Sequence, residues 1–567
     1  MIPSISSVLD LDIRNRMAVA SRVFHQKVRP AMSPVLRTAR LLIVSAALAA
    51  PLASLTAQGE SIDTAMIAKI REVGLNHSQV MDHMEWLADV YGPRLEGSPA
   101  TEKAGQWAMQ TLRSWGLSNV HEERFPFGKG WSLVHFYAEM VSPQEQPIIG
   151  MPRAWTPGTN GPVEADVVRP DIESEADFAK YHGALRGKIV LTQPARPVRM
   201  LTGPIMLEYT PKMIDEMMTP LPPGWKPPVR RPGPAQRFQA ELLRFYQNEG
   251  VVALLDRGMN ADTVTGGSDL SWFAQHTDGG TFMVQAGGPR DSTAGRGLPE
   301  ITLAVEHYNR MVRILALGVA VRMRLDVDTK FYDEATPRGF NIVGDIPGTD
   351  PQLKNQIVMI GAHFDSWHGG TGATDNGAGD AAMMEAVRIL EAVGAKPRRT
   401  IRIALWGGEE EGLLGSKAYA TAHIGDAATG KVEPGYETFD AYYNLDNGTG
   451  KIRGIWMEDN AGVAPIFRAF LAPFRDLGVD LFSPRPVRST DHETFEAFGL
   501  PSFQFVQDRL EYAARTHHTN MDVVDRVQPG DMKQMSTIVA AMAWLTAQRD
   551  GMLPRKRLPK ATSPGAI

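Results

Sequence analysis

The residues able to do chemistry crowd into the C-terminal half of the chain. His363 and Asp365 stand one residue apart, and Asp375 follows across the loop that contains Gly372. Further on come Glu409-Glu410-Glu411, then Asp446, and finally Tyr512, His517 and His518. A small set that mixes imidazoles with carboxylates suits zinc. Two metals sharing one carboxylate need about five ligands, plus a free carboxylate to take a proton from a bound water. His363, Asp375, Glu410, Asp446 and His518 supply the ligands, and Glu409 supplies the base. Taken singly, each motif has an ordinary alternative. The Glu triplet alone could be a helix N-terminus favoured by the macrodipole, and the His517-His518 pair alone is a weak signal.

What joins the pieces is the kind of element that precedes each one. Gln356-Ile357-Val358-Met359-Ile360 is a short β-branched run that leads into His363. Thr400 to Trp406 leads into the Glu triplet, Ala441 to Leu445 into Asp446, and Ser502 to Val506 into the loop bearing Tyr512, His517 and His518. These runs predict buried strands. In open α/β sheets, ligands collect beyond the carboxyl ends of the strands. An apolar-periodic helix is predicted to start just after Asp375, through Ala378, Ala381, Met384, Val387 and Leu390.

The bulk composition excludes other chemistries. The 567 residues include no cysteine, so thiolate nucleophiles, disulfides and Cys-ligated zinc are ruled out. A formal charge of −5 gives no support to nucleic-acid binding. The length predicts more than one domain. Near the N-terminus, Arg37 and Arg40 precede the apolar run Leu41 to Ala50, and small residues end at Ala57. This pattern predicts a signal peptide cleaved near Ala57, with translation starting at Met1 or Met32. The mature protein is then secreted or periplasmic, without a stable membrane span; an uncleaved anchor is the alternative.

Along the chain, helices are predicted over residues 65–74, 79–90 and 101–117, the last capped by Thr101. Short strands then take over from about Trp131, with a helix from Ala235 to Glu249 and a Pro-rich stretch from Pro220 to Pro234. His276 and His307 are isolated there. A second α/β block begins near Asn341, and a Pro/Lys/Arg-rich tail, predicted to be disordered, follows Gly551. The domain plan is an N-terminal extension and signal over 1–57, a first part of the catalytic domain over 58–130, a β-rich insert over 131–337, the main catalytic domain over 338–549, and a tail over 550–567.

The ordered set of His363-x-Asp365, Asp375-Asn376-Gly377-Ala378-Gly379, Glu409 to Ser416, Asp446 and His518-Thr519 resembles the co-catalytic di-zinc exopeptidases of the aminopeptidase Y and plasma glutamate carboxypeptidase (carboxypeptidase Q) type. The resemblance spans about Met66 to Ala547. It implies a three-layer α/β zinc-peptidase domain, phosphorylase/hydrolase-like, with a mixed central sheet and an inserted protease-associated domain. It also implies two zinc ions per chain and short peptides as substrate, and it is compatible with a homodimer. Asp375 would bridge the zincs, His363 and Asp446 would complete one site, and Glu410 and His518 the other. Glu409 would be general base and then acid, and Asp365 would orient His363. The peptide Asp375-Asn376 would be cis. His492, Tyr512 and His517 would contact substrate. Two other classes on the same fold compete, a glutaminyl-cyclase-like aminoacyltransferase and a non-catalytic receptor-like protein. A zinc count of two, one or none separates the three.

Overall fold

In the computed structural model of the chain, the described residues are 60–198, 206–222, 233–258, 277–333 and 336–557. The expected signal segment, most of the Pro-rich stretch, His276 and the last residues of the tail lie outside them. The residues from 59 onward form one compact unit.

Two eight-stranded sheets organise the described residues. The first holds the four runs that lead into the chemistry. In chain order its strands are β1 (Ser118–Phe125), β2 (Gly339–Ile346), β3 (Ile357–His363), β4 (Thr400–Trp406), β5 (Phe439–Asn444), β6 (Ile452–Trp456), β7 (Leu481–Ser483) and β8 (Ser502–Gln507). Their spatial order is β1-β2-β4-β3-β5-β8-β6-β7. β4, β3, β5 and β8 are consecutive neighbours and mutually parallel, whereas β1, β2 and β6 pair antiparallel. The four carboxyl ends therefore emerge together at one edge.

Side-chain alternation divides this sheet between two helical layers. Val358, Ile360, Ile401, Ile403 and Tyr443 face the helices Thr64–Asn76, Ala378–Ala392 and Pro529–Gln548. Met359, Ala404, Trp406 and Tyr442 face the other way, against Tyr419, Phe495 and Phe498. A strand buried on both faces reads as a near-continuous apolar run, which is why these runs show little polar alternation; polar residues that they do carry, such as Asp440, Asn444 and Gln504, are buried.

The second sheet is built from residues 130–332, with Gly130–Ser142 and Val321–Tyr332 as its long antiparallel pair. Its short parallel strands Ile189–Leu191, Ala253–Asp256 and Glu300–Leu303 are among the short strands expected after Trp131. His307 is a local structural residue, its Nδ1 accepting from the Ile149 N–H at 3.2 Å.

Two local expectations change. The third helix is Pro99–Ser114, capped by Ser98 rather than Thr101; the Ser98 hydroxyl accepts from the Thr101 N–H at 3.3 Å. Proline at the first helical position costs no hydrogen bond, which moves the start upstream. The tail is also not loose immediately after Gly551. Leu553 is buried with its N–H on Asp440 at 2.7 Å, and Lys556 pairs with Glu496 at 2.6 Å. An apolar residue and a paired cation hold residues 551–557 on the protein surface.

Candidate metal centre and substrate cleft

His363 is the last residue of β3, and its Nδ1 lies 3.0 Å from the backbone carbonyl of Asp365. That contact holds the ring so that Nε2 faces Asp375 Oδ1 at 3.2 Å and Asp446 Oδ1 at 3.5 Å. On the other side of Asp375, Oδ2 lies 3.2 Å from His518 Nε2, and that nitrogen is also 2.9 Å from Glu410 Oε2. The two oxygens of Asp375 thus face two different histidine–carboxylate pairs. All five sequence-predicted ligands meet here, gathered from the ends of four adjacent strands.

Asp375 is held by the start of the helix that follows it. The peptide Asp375-Asn376 is cis, and Asn376 Nδ2 donates to the carbonyl of Leu445 at 2.9 Å, tying the loop to the chain that presents Asp446. Gly379 makes this approach feasible. A Cβ there would stand 2.4 Å from Asn376 Oδ1 and 2.5 Å from the Leu445 carbonyl.

Asp365 also has a task beside the one expected. Its carboxylate is 3.7 Å from His363 Nδ1, while its two oxygens accept the backbone N–H groups of Glu409 at 3.0 Å and Glu410 at 3.2 Å. The backbone carbonyl of Asp365 is the nearer partner of His363 Nδ1. The carboxylate fixes the turn that aims the Glu pair in two directions: Glu410 reaches His518, and Glu409 lines the open cleft.

The electrostatics are those of a cation site. Burial raises the Asp375 carboxyl, but hydrogen bonds from His363 and His518 outweigh it and hold it well below the usual range. Burial pushes Glu409 well up against the opposing charge of His363, and raises Glu410 to about 7 against that of His518. For His518, burial favours the neutral ring, but Glu410 and Asp375 raise it to about 10. Glu410 Oε1 is buried without a hydrogen-bond partner among the described residues. A buried carboxylate oxygen without a donor is costly, and a divalent cation beside the imidazoles would satisfy it, so the residues fit the metal.

His517 and Tyr512 sit at the rim. The His517 ring stacks on His518 with centroids 3.7 Å apart, and its Nε2 is 3.8 Å from Asp375 Oδ2. Burial and the adjacent His518 lower it to about 4, so it is neutral. Being farther from Asp375 than His518 and without Glu410, it is the poorer ligand of the pair. Both Tyr512 and His517 line the cleft. His492 does not. It is fully buried, its Nε2 lying 3.3 Å from the Val487 carbonyl and 3.5 Å from Glu458 Oε1. The expected substrate contact is replaced by a support beneath the Val487–Thr490 wall, because His492 lies in a buried helix that turns its ring toward Glu458.

The cleft has a volume of about 550 Å³ and combines Tyr209, Trp456, Leu413 and Val487 with Arg488 and Arg509. Three supports lay beyond sequence reasoning. Buried Arg94 donates to the carbonyls of Phe364 (2.8 Å), Leu87 (3.0 Å) and Gly372 (3.0 Å), holding the loops on either side of His363 and Asp375. Glu96 accepts the Phe340 N–H at 3.0 Å. Gln285, from the second sheet's region, places its amide 2.8 Å from His518 Nδ1. An arginine inside the loop Gly92-Pro93-Arg94 was a faint signal; Gln285 had none.

Residues 341–543 match the profile of peptidase family M28. The chain is 26% identical over 496 residues to carboxypeptidase Q of Mus musculus, covering 86% of this chain and 90% of that protein. It is 27% identical over 200 residues to aminopeptidase YwaD of Bacillus subtilis, covering 34% of this chain and 42% of that one. Among solved structures, a peptidase M28 precursor from Shewanella amazonensis overlays with a TM-score of 0.59 at 24% identity, covering 87% of this chain and 98% of that one. A zinc aminopeptidase from Bacillus subtilis overlays at 0.51 and 18%, with 83% and 95% covered. These overlays concern the fold.

Proposed function

We propose that the chain, whose residues 341–543 match peptidase family M28, is a zinc-dependent exopeptidase of that family that hydrolyses short peptides at a two-metal centre. The observation that carries this reading is Asp375, whose two oxygens each face a separate histidine–carboxylate pair. His363, Asp446 and Asp375 would hold one zinc, and His518, Glu410 and Asp375 the other. Zinc, when bound, supplies the positive charge that acidifies a coordinated water and polarises the scissile carbonyl. The complete set of five ligands speaks for this reading over a one-zinc aminoacyltransferase or a receptor-like protein.

The protein's own residues handle the protons. Glu409 faces the cleft beside the centre, and burial gives its carboxyl a high proton affinity. It accepts the proton of the attacking water and passes it to the leaving nitrogen. Asp365 keeps Glu409 and Glu410 in register through their backbone N–H groups. Tyr512 and His517 border the same space and position the substrate.

The finer reading is that the free carboxylate of the substrate is recognised. Arg488 and Arg509 line the cleft, whereas the neighbouring carboxylates Asp491, Glu493 and Glu511 do not. Guanidinium groups suit a carboxylate. The β-rich insert is read as a protease-associated-like domain, the mature protein as secreted or periplasmic, and a homodimer as its assembly. No helix of the described residues is long and apolar enough to cross a membrane.

Hydrolysis of a dipeptide panel tests the proposal, with either the amine or the carboxylate blocked. Amidation of the carboxylate is expected to lower kcat/KM more than acetylation of the amine, and excess chelator to abolish turnover. Unchanged hydrolysis in chelator would remove metal from the mechanism, and a stricter need for the free amine would reverse the polarity.

A further inference from the structure

We infer that Gln285 is a positioning residue for the candidate metal centre: by accepting the ring proton on Nδ1 it leaves the Nε2 lone pair of His518 free for the metal, so that the inserted sheet's region completes the site. The inference rests on the two-metal reading of Asp375.

An imidazole binds a cation only through a nitrogen that carries no proton. His518 Nε2 is the nitrogen that faces Asp375 and Glu410. Its proton must then reside on Nδ1, and a buried N–H needs an acceptor. For His363 the acceptor is local, the Asp365 carbonyl at 3.0 Å. For His518 the polar group at Nδ1 is the Gln285 side-chain amide, its nitrogen at 2.8 Å, from 233 residues away in the chain, and a half-turn of that amide puts its oxygen there as the acceptor. A primary amide carries a donor and an acceptor that exchange places by a half-turn. With its nitrogen on Nδ1, Gln285 favours the tautomer protonated on Nε2, which donates to Glu410 and Asp375. With its oxygen there, Gln285 accepts from Nδ1–H and leaves the Nε2 lone pair for the metal. Binding of a metal through Nε2 thus requires the oxygen of Gln285 at Nδ1.

The backbone around this contact is built to hold it. His518 has φ +60°, a left-handed conformation that a non-glycine residue keeps only where its surroundings enforce it. The enforcing contacts come from the same inserted segment. Val284 N–H donates to the His518 carbonyl at 3.1 Å, Met283 bridges Thr519, and Phe282 N–H donates to Asn520 Oδ1 at 2.9 Å. Gln285 is itself anchored, its carbonyl accepting the Ala154 N–H at 3.1 Å. A ligand held in a strained conformation by one segment, and given its ring partner by that segment's next residue, depends on the insert for its aim.

The test compares wild type with Gln285→Glu, which keeps an acceptor, Gln285→Leu, which has none, and Gln285→Lys, which has donors only. Zinc per chain is measured after dialysis against graded chelator, with circular dichroism to verify the fold. Wild type and Gln285→Glu are expected to retain two zinc ions. Gln285→Leu and Gln285→Lys are expected to keep one and to release the other at roughly tenfold to hundredfold less chelator, the usual cost of losing an outer hydrogen bond to a ligand. His518→Ala marks the one-zinc pattern for comparison. Two tightly held zincs in a folded Gln285→Leu or Gln285→Lys would overturn the inference, as would loss from Gln285→Glu equal to theirs. Fewer than two in the wild type would instead overturn the two-metal reading on which it rests.

Discussion

Glu409 and Glu410 are chemically identical neighbours with different surroundings. Glu410 lies against His518, while Glu409 lines the cleft and makes no ion pair among the described residues. Removing the charge from Glu409 should leave the ligand set intact and remove the proton carrier. Glu409→Gln is therefore expected to bind zinc as wild type does while kcat falls about 10²–10⁴-fold, the usual worth of a general base. Metal analysis and dipeptide hydrolysis on one preparation check this, and full turnover would sink the assignment. His492 illustrates the limit of residue type alone. The stretch Ser489 to Phe495 is rich in polar residues, yet its histidine is fully buried against Glu458.

At the scale of elements, the site depends on how closely the helix Ala378–Ala392 approaches β5. Gly379→Val would put a branched side chain where even a Cβ would stand 2.5 Å from the Leu445 carbonyl. Overpacking of this kind costs typically about 1–3 kcal/mol. Here the shift falls on the chain bearing Asp375 and Asp446, so both thermal stability and zinc content are expected to drop. Zinc content equal to wild type would show that the two ligands tolerate the displacement. The same helix is tied to the N-terminal helices by Glu385, which accepts from Arg388 at 2.6 Å, from Ser78 and the Gln79 N–H at 3.0 Å each, and meets His83 at 3.2 Å. Burial raises its carboxyl, but these partners outweigh it and lower it from near 4.5 to about 2. A depressed carboxyl stabilises the fold fully above its unfolded value and loses that contribution as pH falls from about 4.5 to about 2, a total of about 3 kcal/mol. In metal-free protein, Glu385→Gln should therefore lower the urea midpoint at pH 6, and the gap from wild type should close toward pH 2. A gap independent of pH would assign the effect to packing.

For the whole molecule, the candidate centre joins both sheets: four proposed ligands come with β3, β4 and β5, and His518 is clamped by residues 282–285 of the insert. Metal should therefore stabilise the junction between the two. Zinc at about a thousand times its Kd adds about 4 kcal/mol per site to the folded state. Chelation is expected to lower the thermal midpoint by several degrees and to start unfolding at the 277–285 and 512–522 segments, which hydrogen exchange would report. Equal protection of those segments with and without zinc would mean that the sheets hold together independently of the metal.

How much of this was legible in the sequence follows from the range of the forces involved. The four site strands announced themselves because strands buried on both faces read as near-continuous apolar runs. The ligands were legible because ligand chemistry restricts residue type and because parallel strands collect their products at one edge. Composition alone removed cysteine chemistry. The tertiary structure decided what depends on direction: that the carboxylate of Asp365 serves the Glu409-Glu410 turn and its carbonyl serves His363, that His492 lies beneath the cleft wall, and that Arg94 and Gln285 support ligands far away in the chain. A hydrogen bond depends on the orientation of two groups in space, and when its partners are 233 or more residues apart no local pattern encodes it. The sequence by itself thus determined which atoms could hold and use a metal, and the packing of one sheet's loops onto the other determined where each of those atoms points.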